Sequence, residues 1–499
     1  MKNYIIILFI LSSSISFSQL GRVHRADKLY NKFSFVEAIQ EYQSAYQKKP
    51  TSLHINKQLA DCYMMLRQPE KALRHYKFVV SKNKDIDPKY YLMYAQALKG
   101  SGKYKEAKKW MKKYKKNGVT DSRVEKDLKD PDYIDILYKI KKRFTIKNSI
   151  LNTKNSDYGA IKFKNDVYFT SARNDIGQKE KKIFEWNQQP FLDIYKFSGD
   201  TKIVTRLSDT INTKLHEGAA CFSPDGNYMY FTRNNFYLNK ERKDKEGTNN
   251  LKIFRTERIE GKWSVPKPLL FSSDEYSIGH PTMSSDGKKL FFTSDMPGGF
   301  GGTDIYMCVV HDRGGLKKPM NLGSEINTEG NEMYPYFHLT ENKLYFSSDG
   351  HPGFGLLDIF SAEFDGKEDY KNIINLGEPI NSLSDDFSFY INKIGNQGFI
   401  SSNRKDDDSK GDDDIYEFVR ERDFILKGVI RDAITEEPIN EAKLILSNNK
   451  GEIVFEILTN TDGYYEHIIK RNETYQLNVE KAKYQNKIVA FNLYYTDIG

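Results

Sequence analysis

The sequence predicts a multi-domain chain: an α-helical solenoid, then an all-β propeller of five or six blades, then a small transthyretin-like β-sandwich. Two internal repeats and a late change of period carry that prediction. The first repeat is 34 residues long and helical in composition. The second spans 54 to 62 residues and consists of short strands with Gly/Asp turns. After about residue 424 the repeats stop, and apolar and polar residues alternate as in half-buried strands. At 499 residues the chain exceeds what one core supports, and 38% hydrophobic with 29% charged residues is ordinary for folded protein.

Residues 1–18 read as a secretory signal. Lys2 gives a positive start, Tyr4 to Leu11 is an apolar run too short to span a bilayer, and Ser16 and Ser18 supply small residues for cleavage. No Cys lies near that point to carry a lipid. The three cysteines, Cys62, Cys221 and Cys308, are odd in number and widely spaced, which argues against a disulfide framework and for buried small apolar side chains.

The helical region is expected over 22–142. Ala26, Ala38, Tyr42 and Ala45 recur as Ala60, Ala72, Tyr76 and Val79, each 34 residues on, and Ala95 and Ala107 continue the series at 35. Small residues are needed where two helices touch closely. Phe35 and Tyr104 mark the turn into the second helix of a pair. Asp130-Pro131 predicts a helix start, with Tyr133 to Lys142 as a capping helix. The region resembles a tetratricopeptide repeat array of three copies. It is also basic: from Leu20 to Ile150 there are 31 Lys and Arg against 14 Asp and Glu, while the residues after 150 sum to −10. Eight lysines lie between Lys103 and Lys116, interleaved with Tyr104, Trp110, Met111 and Tyr114. That mixture suggests nucleic acid, but the aromatics fall on packing positions. Export turns the expectation toward an acidic partner, an anionic surface or a plain solvated face.

The propeller is expected over 143–420. Its first recurring element is an aromatic strand ending in hydroxyl residues: Val167–Ser171, Met229–Thr232, Leu290–Ser294, Leu344–Ser348 and Gly398–Ser402. Its second is Asp-Ile-aromatic, at Asp193, Asp304, Asp358 and Asp414, degenerating to Lys252-Ile253-Phe254. Ser223-Pro224-Asp225-Gly226 and Ser285-Asp286-Gly287 are tight turns. Five blades follow directly. A sixth is left open by the long gap between Phe231 and Asp286, which contains the charged insert Lys240 to Glu246. The pattern resembles TolB-type propellers. The closing module, expected over 424–497, resembles the carboxypeptidase regulatory-like domain through Gly428, Asp432, Thr435, Pro438, Ala442 and Thr461-Asp462-Gly463-Tyr464.

Several motifs invite a chemical reading. Pro297–Asp304 and Pro352–Asp358 are Gly-rich, but a strand follows each where a phosphate cradle needs a helix. Asp406 to Glu417 has EF-hand-like spacing, yet Lys410 replaces a ligand and Asp413 replaces the usual apolar residue. His216 and His280 are expected at equivalent places before blade strands, and none of the nine histidines forms a metal pair. No Gly-x-Ser-x-Gly occurs. No catalytic, metal or cofactor-binding residue is therefore assigned, and no cofactor is expected.

The order of modules resembles the OmpA-family envelope proteins of the Bacteroidota. That resemblance implies a periplasmic, outer-membrane-associated scaffold of the type IX secretion or gliding kind. It implies protein partners at the helical groove and propeller face, and no nucleic acid. Those relatives end in a domain that grips peptidoglycan. Here the sequence stops at Gly499, so contact with the wall is expected only through a missing C-terminal domain. The alternative is a carbohydrate- or peptidoglycan-binding propeller, or a glycan-processing enzyme, which would need paired carboxylates facing one pocket. A calcium-dependent adhesin is a third class.

Overall fold

The computed structural model describes residues 21–82, 86–130, 132–174, 176, 182–311, 314–366, 369–421, 424–469 and 474–492. The expected signal segment and Pro131 lie outside them. The chain divides into two compact units, meeting between Val419 and Arg420. No helix among the described residues is long and apolar enough to cross a membrane.

The first unit begins with helices α1 (21–31), α2 (Phe35–Lys48), α3 (Leu53–Met65), α4 (Pro69–Lys82), α5 (Lys89–Lys99) and α6 (Tyr104–Lys115). They form three antiparallel pairs. Every residue of the 34-residue repeat is buried at the interfaces: Ala26, Ala38, Tyr42, Ala60, Ala72, Tyr76, Val79 and Ala95 have no exposed surface. Alanine lets the backbones close up, and the Tyr rings fill the neighbouring gaps. The Tyr42 hydroxyl donates to Asp27 at 2.5 Å and the Tyr76 hydroxyl to Asp61 at 2.8 Å, so this pair also repeats every 34 residues. In α6, Ala107, Met111 and Tyr114 are buried and Trp110 packs on Tyr91 and Tyr94, so the aromatics are core and the lysines are left outside.

Two more helices follow, α7 (Ser122–Lys129) and α8 (Tyr133–Lys139). The Asp121 side chain caps α7 by accepting from the Arg123 N–H at 3.1 Å. The expected capping helix is present but ends three residues early. Asp130 is not its cap: Asp130 closes α7, and Asp132 precedes α8.

Five antiparallel blades, four of four strands and the second of five, then close a ring. The innermost strands are Asp157–Phe163, Glu217–Phe222, Ile278–Met283, Glu332–His338 and Asp386–Ile391. The aromatic-hydroxyl segments are the second strands and the Asp-Ile-aromatic segments the third. Their register is the same throughout: Ser171 faces Asp193, Arg233 faces Lys252, Ser294 faces Asp304, Ser348 faces Asp358 and Ser402 faces Asp414. The outermost strand of the last blade is Phe144–Asn148, from the start of the ring, so the two ends of the propeller are laced into one sheet. This leaves no place for a sixth blade. The insert beginning at Lys240 belongs to a small hairpin, Phe236–Tyr237 with Lys240–Glu241, on the second blade.

Each inner strand carries a β-bulge at the same position, and the bulged residue has positive φ: Gly159 (69°), Ala219 (43°), His280 (52°), Tyr334 (50°) and Ser388 (55°). The first hydroxyl of the neighbouring blade's second strand accepts the bulge N–H: Ser401 from Gly159 (3.0 Å), Thr170 from Ala219 (3.0 Å) and Thr232 from His280 (2.8 Å). Three of the hydroxyls that end the aromatic strands are thus structural, while the equivalent Thr293 and Ser347 hydroxyls are buried without a hydrogen-bond partner. His280 lies on this bulge, whereas His216 precedes the strand of the blade before, so the two histidines are not equivalent.

The second unit contains a two-stranded sheet, Phe424–Val429 with Tyr464–Ile469, and a four-stranded sheet in the order Ile453–Leu458, Lys443–Asn448, Thr474–Glu480, Lys487–Asn492. Leu444, Leu446, Phe455, Tyr475 and Leu477 form its core. The Asp432 carboxylate accepts from the N–H groups of Ile434 (2.8 Å) and Thr435 (2.9 Å), which fixes the expected turn.

Candidate functional site

The recurrent carboxylates at the starts of four inner strands are engaged within the fold. Before four of the inner strands stands the pattern Asn-Thr/Ser-x-x-x-Asp/Glu: Asn152 to Asp157, Asn212 to Glu217, Asn327 to Glu332 and Asn381 to Asp386. Each Asn reaches back to the previous blade in the ring and grips the Ile of its Asp-Ile-aromatic strand. The Ile194, Ile305, Ile359 and Ile415 N–H groups donate to Asn212, Asn327, Asn381 and Asn152 at 2.7 to 2.8 Å, and the Asn amides return a bond to the same Ile carbonyls. The hydroxyl next in sequence donates to the carboxylate: Thr153 to Asp157 (2.7 Å), Thr213 to Glu217 (2.6 Å), Thr328 to Glu332 (2.8 Å) and Ser382 to Asp386 (2.8 Å). Three of these carboxylates also pair with arginines: Asp157 with buried Arg173 (2.9 Å), Glu217 with buried Arg233 (3.1 Å) and Asp386 with partly buried Arg404. Sequence reading missed this clasp, although its five-residue spacing was visible.

The Gly-rich segments and the acidic run reduce to one device. The Asp304 carboxylate accepts from Phe300 (2.7 Å) and Gly301 (3.3 Å), Asp358 from Gly355 (3.3 Å), and Asp414 from Lys410 (2.6 Å) and Gly411 (3.0 Å). The loop N–H groups that a phosphate would use are held by the chain's own carboxylate. The EF-hand-like spacing places Glu417 in a blade strand, beyond reach of loop geometry.

Two openings remain on the ring axis. At the end marked by the hairpins between first and second strands lies a cavity of about 350 Å³. Phe163, Phe222, Met283, Tyr336 and Tyr390 line it with Lys162, Lys393 and His338, and no Asp or Glu is among its lining residues. At the other end lies a chamber of about 210 Å³, lined by Ser156, Tyr158, Phe184, His216, Tyr334, Phe387 and Asp413.

The helical array stands over this second end. All three intra-pair turns point to the ring, and each has a residue of positive φ at the same repeat position: Phe33 (62°), Arg67 (55°) and Gly102 (70°). Each turn closes with the bond of a Schellman motif, Ser34 to Leu29, Gln68 to Tyr63 and Lys103 to Leu98. Phe33 stacks on Trp186, the Arg67 guanidinium pairs with Asp385 at 2.9 Å, and Gly102 lies beside Leu383. Ser34 donates to Glu185 (2.8 Å), Tyr104 to the Phe354 carbonyl (2.8 Å) and the Ser122 hydroxyl to Glu329. Asp385, Asp349 and Asp413 all act on Arg67 and hold its pKa above the usual value, with Asp385 foremost.

A third opening, of about 620 Å³, lies on the array between α2 and α4. Val36, Ile39, Gln40 and Gln43 form one wall, Glu70, Lys71 and Arg74 the other, with Tyr63 and Leu66 between.

Comparison with known proteins finds a family match in the helical region. A tetratricopeptide repeat model matches residues 32–91. No curated protein matches the chain. Among solved structures, the first repeat domain of Spaghetti (RPAP3), bound to an HSP90 peptide, is 22% identical; it covers 19% of this chain and 75% of that one, with a TM-score of 0.18. An α-L-arabinofuranosidase from Lactobacillus brevis is 11% identical over 55% of this chain and 93% of that one, TM-score 0.35. A putative TolB from Agrobacterium tumefaciens is 12% identical over 54% and 95%, TM-score 0.24. At such identities the likeness concerns fold alone.

Proposed function

We propose that the chain is a non-catalytic scaffold of the periplasm, associated with the outer membrane, that holds proteins together. Its complex is of the type IX secretion or gliding kind, and it links that complex toward the cell wall. One observation carries the non-catalytic part: the recurrent blade carboxylates are tied into clasps between blades. The binding part rests on the array groove and on the basic cavity of the ring, which present apolar surface beside cations and suit acidic segments of partner proteins.

The test uses two arms. A photo-crosslinking residue at Val36, in the groove, is expected to give one discrete adduct in intact envelopes, lost when Arg74→Glu and Lys71→Glu are added. The same protein is expected to show no turnover of muropeptides or arabinoxylan. Turnover that a single Asp or Glu substitution abolishes would overturn the scaffold and favour a glycan-processing enzyme. Absence of any groove adduct would remove the array as the binding element.

A further inference from the structure

The cavity of about 350 Å³ at the hairpin end of the ring is a blind funnel. All five inner strands line it, each from its bulge outward. The bulge residues Gly159, Ala219, His280, Tyr334 and Ser388 make the floor, and the strands run from there to the mouth. His280 stacks on Tyr334 at 3.8 Å and 14°, which plugs one side of the channel. Gly159, Ala219 and Ser388 are small and leave room beside that slab; a Cβ at Gly159 would stand 3.8 Å from the Ser388 hydroxyl. Among the described residues neither the His280 imidazole nor the Ser388 hydroxyl has a hydrogen-bond partner. The His280 Nδ1 is sealed in the floor, so Nε2 is the nitrogen left to face the cavity. Burial lowers the pKa of this ring to about 3, so the imidazole is neutral. Above the floor, Phe163, Phe222, Met283, Tyr336 and Tyr390 give apolar walls. The two tyrosine hydroxyls donate to the Ile391 and Lys162 carbonyls, so the walls offer ring carbon and no polar grip for a sugar. At the mouth stand Lys162 and Lys393, exposed and with no acidic partner among the described residues. Lys162 lies three residues beyond Gly159, which puts the mouth about 10 Å above the floor at a rise of about 3.3 Å per residue.

We propose that this funnel binds a 4-hydroxyphenyl group that carries a carboxylate two carbons from its ring, with the hydroxyl on His280 and Ser388 and the carboxylate between Lys162 and Lys393. Such a molecule spans the distance from floor to mouth, and its ring lies against the apolar walls. A phenol hydroxyl both donates and accepts, so it satisfies either tautomer of the neutral imidazole. The carboxylate stays at the wet mouth and gains the two lysines without the cost of full desolvation. The cavity volume falls among ordinary small-molecule pockets, about 300–1,000 Å³. Two sources carry this chemistry: a free hydroxyphenyl acid, and a tyrosine at the C-terminus of a partner chain. The inference rests on the proposal that this mouth takes anionic groups, and goes beyond it by naming what enters the funnel.

Titration calorimetry on the full chain tests this with 3-(4-hydroxyphenyl)propionate as the free acid and acetyl-Gly-Gly-Tyr as the chain terminus. Saturable one-to-one binding of both is expected. Binding of 3-phenylpropionate, which lacks the hydroxyl, should be about tenfold weaker, and tyramine, which lacks the carboxylate, should not bind. Tighter binding of the peptide assigns the site to a partner's C-terminus, and tighter binding of the acid to a small molecule. Lys162→Glu with Lys393→Glu, both at exposed positions, should weaken either ligand about tenfold. His280→Phe keeps the ring stack and should bring the hydroxylated and plain acids to equal affinity, a change that a merely loosened fold would not produce. Should His280→Phe fail to fold, Ser388→Ala and the ratio of the two acids on the unchanged chain decide. An acetylated tetraglutamate amide is the parallel arm. If it binds and the hydroxyphenyl acid does not, acidic segments still fit this mouth and the present inference falls; if neither binds, both fall at this cavity. Equal binding of the two acids by the unchanged chain, no effect of the double lysine variant, or arabinose bound more tightly than either acid also overturns the proposal.

Discussion

The helical array and the ring both stack repeats, and they do so with opposite chemistry. Between helices the contact is mainly apolar: alanines without exposed surface interlock, with a Tyr–Asp hydrogen bond in each of the first two repeats and a few isolated polar pairs such as His75–Asn56. Between blades a polar clasp recurs, with an Asn holding both backbone groups of an Ile in the next sheet. The cause lies in the backbone. A helix satisfies its own N–H and C=O groups, so its flank can be greasy. A third strand reaches the rim of its sheet with an N–H that the short fourth strand does not match and a carbonyl with one lone pair still open, and burial makes the unmatched N–H costly. The neighbouring blade supplies the missing partner, and that exchange closes the ring.

The largest expected effect breaks the comparison on the ring side. In Asn381→Ala, the Ile359 N–H loses its partner at 2.7 Å, the Ile359 carbonyl loses one of its two bonds, at 2.9 Å, and keeps that from Leu376 at 3.1 Å, and Asn375 loses a bond at 2.8 Å. The unsatisfied N–H costs about 1–3 kcal/mol and each of the other two lost hydrogen bonds about 1 kcal/mol. A loss of about 4 kcal/mol in unfolding free energy is expected by denaturant titration. An equal loss from Asn235→Ala, which carries no clasp, would show that the clasp has no special weight. The interface between the second and third blades is the natural contrast. There Asp is replaced by Lys252, the Ile253 carbonyl has the bond from Leu269 (3.0 Å) that the other blades share but no clasp Asn beside it, and a Lys252–Asp274 pair at 2.5 Å stands in for the carboxylate hydrogen bonds.

A smaller effect, on the array side, is a dependence on pH. His75 is fully buried; its Nδ1–H bonds Asn56 Oδ1 at 2.8 Å and its Nε2 accepts from Arg74 at 3.0 Å, so the neutral ring is the one that fits. Burial, then Arg74, lowers its pKa to about 4. The unfolded chain therefore takes up the proton first. Stability is fully present above about 6.5 and falls as pH drops toward 4, by up to about 3 kcal/mol from this group. Thermal unfolding between pH 7 and 4 should show the helical signal at 222 nm losing stability more steeply than in His75→Asn. Parallel curves would assign the acid loss to the ring, where burial also lowers His351 to about 4.

What the sequence made legible follows from where each constraint sits. The repeat positions of the array and the aromatic strands of the blades stood out because packing selects residue type at fixed intervals, and Ala60, Tyr76, Phe231 and Phe346 are all buried there. The Asn clasp was equally periodic, but Asn, Thr and Asp in a loop also read as ordinary turn chemistry, so Asn327 and Asn381 gave no separate signal. Closure by Phe144–Asn148 was hidden because the strand and its partner Asp414–Arg420 are far apart in the chain. The chamber was hidden for the same reason: Tyr158, Tyr334, Phe387 and Asp413 come from three blades. Asp413 was singled out only as a flaw in a calcium loop.

The smallest effect concerns the place where the two regions meet. Arg67 occupies a turn position that favours glycine, at φ 55°, which costs an L-residue about 1 kcal/mol. Its guanidinium pairs with Asp385 at 2.9 Å, but 39% of the side chain stays open to solvent, so the pair contributes only about 0.5–1 kcal/mol. Arg67→Ala loses the pair and keeps the strained backbone, so it should lose about that amount. Arg67→Gly loses the same pair but relieves the backbone, and should therefore unfold about 1 kcal/mol later than the alanine variant and close to the parent. Gly102 occupies the equivalent turn of the third repeat and shows that glycine fits there. If the two variants unfold together, the turn carries no strain. If the glycine variant exceeds the parent by more than 1 kcal/mol, the ion pair contributes nothing to docking, and Phe33 on Trp186 and Tyr104 on Phe354 hold the array to the ring without it.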